Sequence, residues 1–432
     1  MLIRGVSTAY VLGDIRDYAV ATLTLLAQAW GVFLSYYISQ STFLGATHLE
    51  YALIGGLSIS QALLISPLVD ASNRKFGIRF TLLIGTFLVS LSMLGASFAT
   101  RIWHLFLSQG VCFGYGMGFL YITATAVLPQ WFRRRRSLAV GIAASGAGLG
   151  GLTYNLVAGA AVQLLGLPWT YRLLAFCTLV VNLFCSILLK DRNRLVRPRG
   201  RVFNYREYGH VQVLLVVFWG FLTELGYIVL LYSLPNYASS IGLSTYQGSM
   251  VGAVLNLGLA VGRPVVGFCS DAFGRINVAT IMTALGGVLC LVLWVPAKTY
   301  SVLLAFALTS GMVAGTFWGC VTPVTAEVVE LQRLPSAFSM ICLVLVLPTT
   351  FAEPIALQLA STSGYLASQI FVGCMFLGGA ASVWALRSWK IYEVESKAQR
   401  ECEERSSYNI TTSQVKHGFW LTPRRLFLTQ RV

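Results

Sequence analysis

The sequence predicts an all-α membrane protein, with twelve transmembrane helices in two six-helix bundles and both termini in the cytoplasm. Three observations lead there. Only 11% of the 432 residues are charged and the mean hydropathy is +0.71, whereas a soluble domain is about 25% charged. Apolar runs of about 20 residues, enough to cross a bilayer core, recur along the chain. A short motif, SPLVDASNRKFGIR, returns as GFCSDAFGRIN, placing Asp70 and Asp271 201 residues apart. That is close to half the chain, as parallel repeats of a secondary transporter would be.

The runs fall near 18–37, 51–69, 81–99, 103–128, 138–162 and 169–189, then near 209–232, 247–268, 277–296, 301–323, 336–359 and 367–387. KDRNRLVRPRGRVFNYREYGH separates the two sets. The expected divisions are a first bundle at 1–189, a basic cytoplasmic linker at 190–208, a second bundle at 209–387 and a cytoplasmic tail at 388–432. With the N-terminus inside, 27 of the 31 Lys and Arg fall on the cytoplasmic side. Three (Arg101, Arg172 and Lys298) fall on the other side, and Arg263 lies within a span. This is the positive-inside bias. The net charge of +15 therefore reports topology and contact with anionic lipid headgroups, and nucleic acid is not an expected partner.

In each copy of the motif an aspartate stands just past a helix end, with basic residues in the short loop after it. Charge-assisted hydrogen bonds are among the stronger polar contacts. Asp70, Arg74, Lys75, Asp271 and Arg275 are therefore expected to pair across the halves as a cytoplasmic gate, held in one transport conformation only. Gly77 and Gly274 would allow the tight turns. The plainer alternative is a set of positive-inside charges around a glycine turn. Helices 4 and 5 carry GVCFGYGMGF and GIAASGAGLGGL. Spacing of four puts Gly110, Gly114 and Gly118 on one face, and pairs Gly141 with Ser145 and Gly146 with Gly150, so that backbones can approach closely.

Arg263, in GRPVVGF, lies well inside an expected span. An arginine at a helix centre costs about 2.5–3.5 kcal/mol on insertion scales, and such residues face the bundle interior or a watery path. There it would attract a substrate carboxylate or a nearby acid; the alternative is that it snorkels to the cytoplasmic end. Glu224 in LTELGY and Glu353 in FAEPIAL are intramembrane acids, and Pro354 loosens the helical hydrogen bonding beside the second. Burial disfavours the charged carboxylate, so either could carry a proton during transport. Asn155, Asn256, Tyr115, Trp219 and Trp318 are polar-tipped candidates for lining a cavity. No phosphate-binding loop ends in Lys-Ser/Thr, and the nine cysteines and four histidines lack metal-type spacing. The expectation is a transporter rather than an enzyme, with no cofactor and no metal. It would act as a monomer on a small organic solute, with or without a proton, in contact with membrane lipid.

Several strings carry a resemblance: TFLGATHLEYALIGGLSISQALLISPLV, WHLFLSQGVCFGYGMGFL, PQWFRRRRSLAVGIAASGAGLGGLTY, LLGLPWTYR, LGYIVLLYSLPNYASSIGLS and GRPVVGF. In this order they resemble the fungal monocarboxylate-transporter-like branch of the major facilitator superfamily, over roughly residues 27–390. The resemblance implies the major facilitator fold, an alternating-access cycle and no enzymatic activity. It also implies that Arg263, in the Arg263–Pro264 pair, contacts a substrate carboxylate. Animal relatives place an acid four residues before that arginine, where this chain has Leu259, and carry a helix-1 lysine that ATLTLLAQAWGVFLSYY lacks. The branch also includes carriers of riboflavin, so flavin-like or secondary-metabolite cargo stays open, as does a non-transporting receptor or scaffold on the same fold. The plasma membrane is the expected location, the vacuolar membrane the alternative.

Overall fold

The computed structural model describes residues 47–131, 135–189, 208–329 and 332–406, with isolated positions 33, 37, 43 and 421. The expected first span apart from Phe33 and Tyr37, the basic linker, the tail beyond Ser406 and the side chain of Asn155 lie outside the described residues. Every regular element among the described residues is a helix. The first half holds α1 (His48–Leu64), α2 (Ser66–Lys75), α3 (Ile78–Ser97), α4 (Ile102–Leu105), α5 (Phe113–Trp131), α6 (Arg136–Leu165) and α7 (Leu167–Leu188). The second holds α8 (Val211–Ser240), α9 (Thr245–Phe273), α10 (Arg275–Leu289), α11 (Tyr300–Ala314), α12 (Thr316–Val328), α13 (Leu334–Ser363) and α14 (Tyr365–Ser406). Nine spans among the described residues are long and apolar enough to cross a membrane, or ten counting the bent pair α1 and α2.

The two halves start their second spans alike. The Thr47 hydroxyl accepts the Glu50 N–H at 3.3 Å while the Glu50 carboxylate accepts the Thr47 N–H at 2.7 Å. Ser244 and Gln247 repeat this box at the head of α9, at 3.2 and 2.9 Å. Each box satisfies two otherwise orphaned donors. Breaks follow local chemistry. Pro67 opens α2 and cannot continue the ladder of α1, and the pair bends by 41°. Gly315 divides α11 from α12, and π turns interrupt the spans at Phe106–Cys112 and Cys290–Trp294. α14 runs 42 residues, well past the expected span, and Glu393 pairs there with Lys390 and Lys397 at 2.8 and 2.6 Å.

Glycines set the close approaches. A Cβ at Gly114 would stand 2.6 Å from the Ser58 carbonyl, and one at Gly118 2.5 Å from the Ala62 carbonyl, so this series packs α5 on α1. The second series works between the halves. Gly141 of α6 lies on the Arg263 main chain of α9, and a Cβ at Gly148 would meet Ala260 N and Asn256 O at 2.8 Å. Farther along the same seam Gly267 lies on Ser137. One hydrophobic core also bridges the halves, joining Leu63, Val69, Phe119 and Ile122 to Phe317, Val321 and Leu345.

Candidate functional site

The Arg263 side chain is 5% exposed, so it neither snorkels nor faces acyl chains. Pro264 follows it and removes one hydrogen bond from α9. Its Nη1 donates to the Ala144 carbonyl of α6 at 2.6 Å, across the two halves. Its Nε–H has no partner among the described residues. Gly315 makes room for it, since a Cβ there would stand 2.7 Å from Nε. One turn on, Gly319 is buried, yet a Cβ at that position would meet nothing within 4 Å. Four residues apart on neighbouring turns, the two glycines share a face, so the guanidinium lies beside a space that is open among the described residues. Leu259, at the position where animal relatives carry an acid, is 1% exposed and packs by Gly315.

The acid comes from α8 instead. Glu224 is 2% exposed with Oε1 unbonded, and it shares its electrostatic surroundings with Arg263, Tyr121 and Tyr227. The Tyr227 hydroxyl faces Arg263 without completing a hydrogen bond. Trp318 turns toward Glu224 and meets Tyr121 of the first half edge-on, with centroids 5.7 Å apart at 81°. Tyr121 and Tyr227 are not among the sequence candidates; a Glu and a Tyr three residues apart on one helix face were the available signal. An unpaired guanidinium N–H and a free tyrosine hydroxyl around open space can together receive a carboxylate.

The remaining candidates divide. Glu353 is 5% exposed with Oε2 unbonded, and Tyr232 of α8 faces it. Asn256 donates from Nδ2 to the Gly252 carbonyl at 3.1 Å and leaves Oδ1 unbonded. Tyr115 is half-buried on α5. Trp219 corrects its expectation. It is fully buried, its indole donates to Thr283 Oγ1 at 3.2 Å, and it packs on Phe317. A tryptophan satisfied by α10 is core rather than cavity wall.

Among the described contacts, each motif aspartate pairs with the arginine four residues on in its own half. Arg74 pairs with Asp70 at 2.8 Å on its own helix, and Arg275 pairs with Asp271 at 3.3 Å and with Glu327. A spacing of four brings each pair together within one turn. Lys75 is exposed and lies 5.1 Å over the Phe76 ring. Contacts between the halves also use the main chain. The Asp271 carboxylate accepts from the Ser137 and Leu138 N–H groups at 3.2 and 2.9 Å, at the start of α6 where such donors lack helical partners. Ser270 donates to Ser137 Oγ at 3.1 Å. Ser66 of α2 and Ser339 of α13 exchange hydroxyl-to-carbonyl bonds at 3.0 and 3.3 Å. Gly77 and Gly274 have φ of 85° and 106°, backbone that suits glycine. The end of the protein bearing the two motifs is therefore closed.

The model of the Major Facilitator Superfamily matches residues 19–345 and again 216–431. Probable transporter MCH2 of Saccharomyces cerevisiae is 32% identical over 397 residues, 89% of this chain and 82% of its own. Uncharacterized transporter ESBP6 of the same yeast is 31% identical over 379 residues, 84% of this chain, which spans only 56% of that relative's length. Among solved structures, the proton:xylose symporter XylE superposes with a TM-score of 0.71 at 14% identity, over 88% of this chain and 95% of its own. That likeness shows the fold. With most of its length matched by the superfamily model and by a 32% identical relative, the chain belongs to the Major Facilitator Superfamily: a multi-pass membrane transporter, not an enzyme.

Proposed function

We propose that the chain carries a small organic anion across the membrane by alternating access, with Arg263 as the contact for its carboxylate and Glu224 as the counter-ion of that arginine in the empty site. The observation that supports this most directly is the buried, unpaired Nε–H of Arg263 beside the open space at Gly319. A guanidinium donor left unbonded in a low-dielectric interior is costly, and an arriving carboxylate would relieve it. Asp70, Asp271, Arg275 and the serines beside them would form the inner gate, opening when the halves rock. The plasma membrane fits this role.

A second reading has a specific support. Trp318 and Tyr121 place aromatic rings next to the site, and such rings favour stacking on a planar cargo, of which a flavin-like acid is one.

The test is radiolabelled uptake into proteoliposomes, screening lactate, pyruvate, larger aromatic acids and riboflavin, for wild type and Arg263→Ala. Uptake of a carboxylate that disappears in a well-folded Arg263→Ala protein is the expected result. Riboflavin uptake alone would favour the second reading. Flux that survives Arg263→Ala would refute the anion contact, and no flux for any compound would point to a receptor or scaffold.

A further inference from the structure

We propose that Glu353 carries the proton that accompanies the solute, while Glu224 serves only as counter-ion to Arg263. This rests on the anion-transport reading above. The two acids are buried to a similar degree, at 5% and 2% exposure, but their neighbours differ in kind. Glu224 has a cation beside it, together with Tyr121, Tyr227 and Trp318. Glu353 has Tyr232 of α8, and among the described residues no Lys, Arg or His contributes to its surroundings. Elsewhere around α13 the titratable groups look away: Tyr51 of α1 stacks on Tyr37, and Tyr365 of α14 meets Tyr237.

Position separates the acids as well. α8 and α13 leave the closed end side by side, touching where a Cβ at Gly220 would come 3.0 Å from Leu345 Cδ2. Counting from that contact, Glu224 lies one turn up α8 and Glu353 two turns up α13. At 1.5 Å per residue, Glu353 is about 6 Å farther from the closed end. Tyr227 lies at an intermediate height, facing the Arg263 side.

An ionised carboxylate without a partner is expensive in a membrane interior, and the neutral acid is not. In the open state an O–H bond forms on Glu353 with a proton from a hydronium ion, leaving water. The protein rocks with Glu353 neutral, and on the other side that O–H bond breaks, returning the proton to water. No electron changes hands. Glu224 has the Arg263 guanidinium in its surroundings whereas Glu353 has no such cation among the described residues, so the anion and the proton occupy separate residues of one cycle.

Infrared difference spectra between acid and neutral pH, taken on the protein in lipid vesicles without any solute, test the first half. The carbonyl stretch of a protonated carboxyl group should appear in wild type, vanish in Glu353→Gln and persist in Glu224→Gln. A band that survives Glu353→Gln, or one that departs with Glu224→Gln instead, overturns the proposal. The second half uses radiolabelled pyruvate with pyranine trapped in the proteoliposomes. Glu353→Gln should still exchange solute across the membrane but lose acid-driven accumulation, falling to the level of empty vesicles. Accumulation matching wild type overturns the proposal. A Glu353-dependent infrared band with no flux of any anion in wild type would sink the transport reading alone.

Discussion

Arg263 donates from Nη1 to the main-chain carbonyl of Ala144, 2.6 Å away on a helix of the other half. The group best placed to hold an anion is thus also a tie between the two halves. A ligand that draws the guanidinium toward itself acts on that tie, which links occupancy of the site to the relative position of the halves. Such coupling requires that the ligand interact differently with the two states.

Arg263→Lys separates charge from geometry. Lysine keeps the positive charge but lacks the planar fork that serves Ala144 and the open space together. Loss of one charge-assisted hydrogen bond is about 1.5–3 kcal/mol, so half-saturation for the transported anion should rise roughly 10- to 100-fold. Uptake kinetics in proteoliposomes measure it, and an unchanged value would leave Arg263 a structural residue.

Asp271→Asn should loosen the closed end. The amide can accept only through its one oxygen, so at least one of the two N–H groups now bonded to the carboxylate loses its acceptor, and Arg275 loses its closest charge on α9. A Ser137→Cys reporter would then react faster with a membrane-impermeant maleimide applied from the basic-loop side. Equal labelling rates with and without the Asp271→Asn change would remove Asp271 from the gate.

Ser66→Cys combined with Ser339→Cys tests the other cross-half contact. The two serines already approach closely enough to exchange hydrogen bonds, so mild oxidation should join the cysteines. Transport should stop on oxidation and return with reductant. Continued flux through the joined protein would show that α2 and α13 do not part during the cycle.

Gly148 and Gly319 predict opposite outcomes. Gly148→Val forces a side chain against main-chain atoms at 2.8 Å, and overpacking of this kind costs about 1–3 kcal/mol, read as a lower thermal midpoint. Gly319→Ala enters open space and should leave the midpoint unchanged. Gly319→Leu should fill that space, abolishing uptake while the protein stays folded. Uptake at the wild-type rate in Gly319→Leu would place the solute elsewhere.

Much of this was legible in the sequence because a membrane imposes length and apolarity directly. The spans near 81–99, 169–189 and 277–296 lie within a few residues of α3, α7 and the α10 span. Breaks at Ile65 and Gly315 and the two π turns were not, since hydropathy averages over the few residues that cause them. At the site, Arg263, Glu224 and Glu353 stood out as charges in apolar sequence. Tyr121, Tyr227 and Tyr232 did not, because a tyrosine within a span is compositionally ordinary and only the neighbouring helix decides where its hydroxyl points. Trp219 and Trp318 look equivalent in the sequence, but Thr283 satisfies one and Glu224 faces the other. The motif aspartates suggested side-chain partners and both have one, but Asp271 also binds main-chain amides of the other half, which no residue pattern reveals.

That last feature has an evolutionary consequence. Every amino acid except proline offers the same amide, so replacements at positions 137 and 138 leave Asp271 with something to hold. Selection on this contact therefore bears on the carboxylate more than on the side chain at position 138, while Ser137 is held additionally by its hydroxyl bond to Ser270.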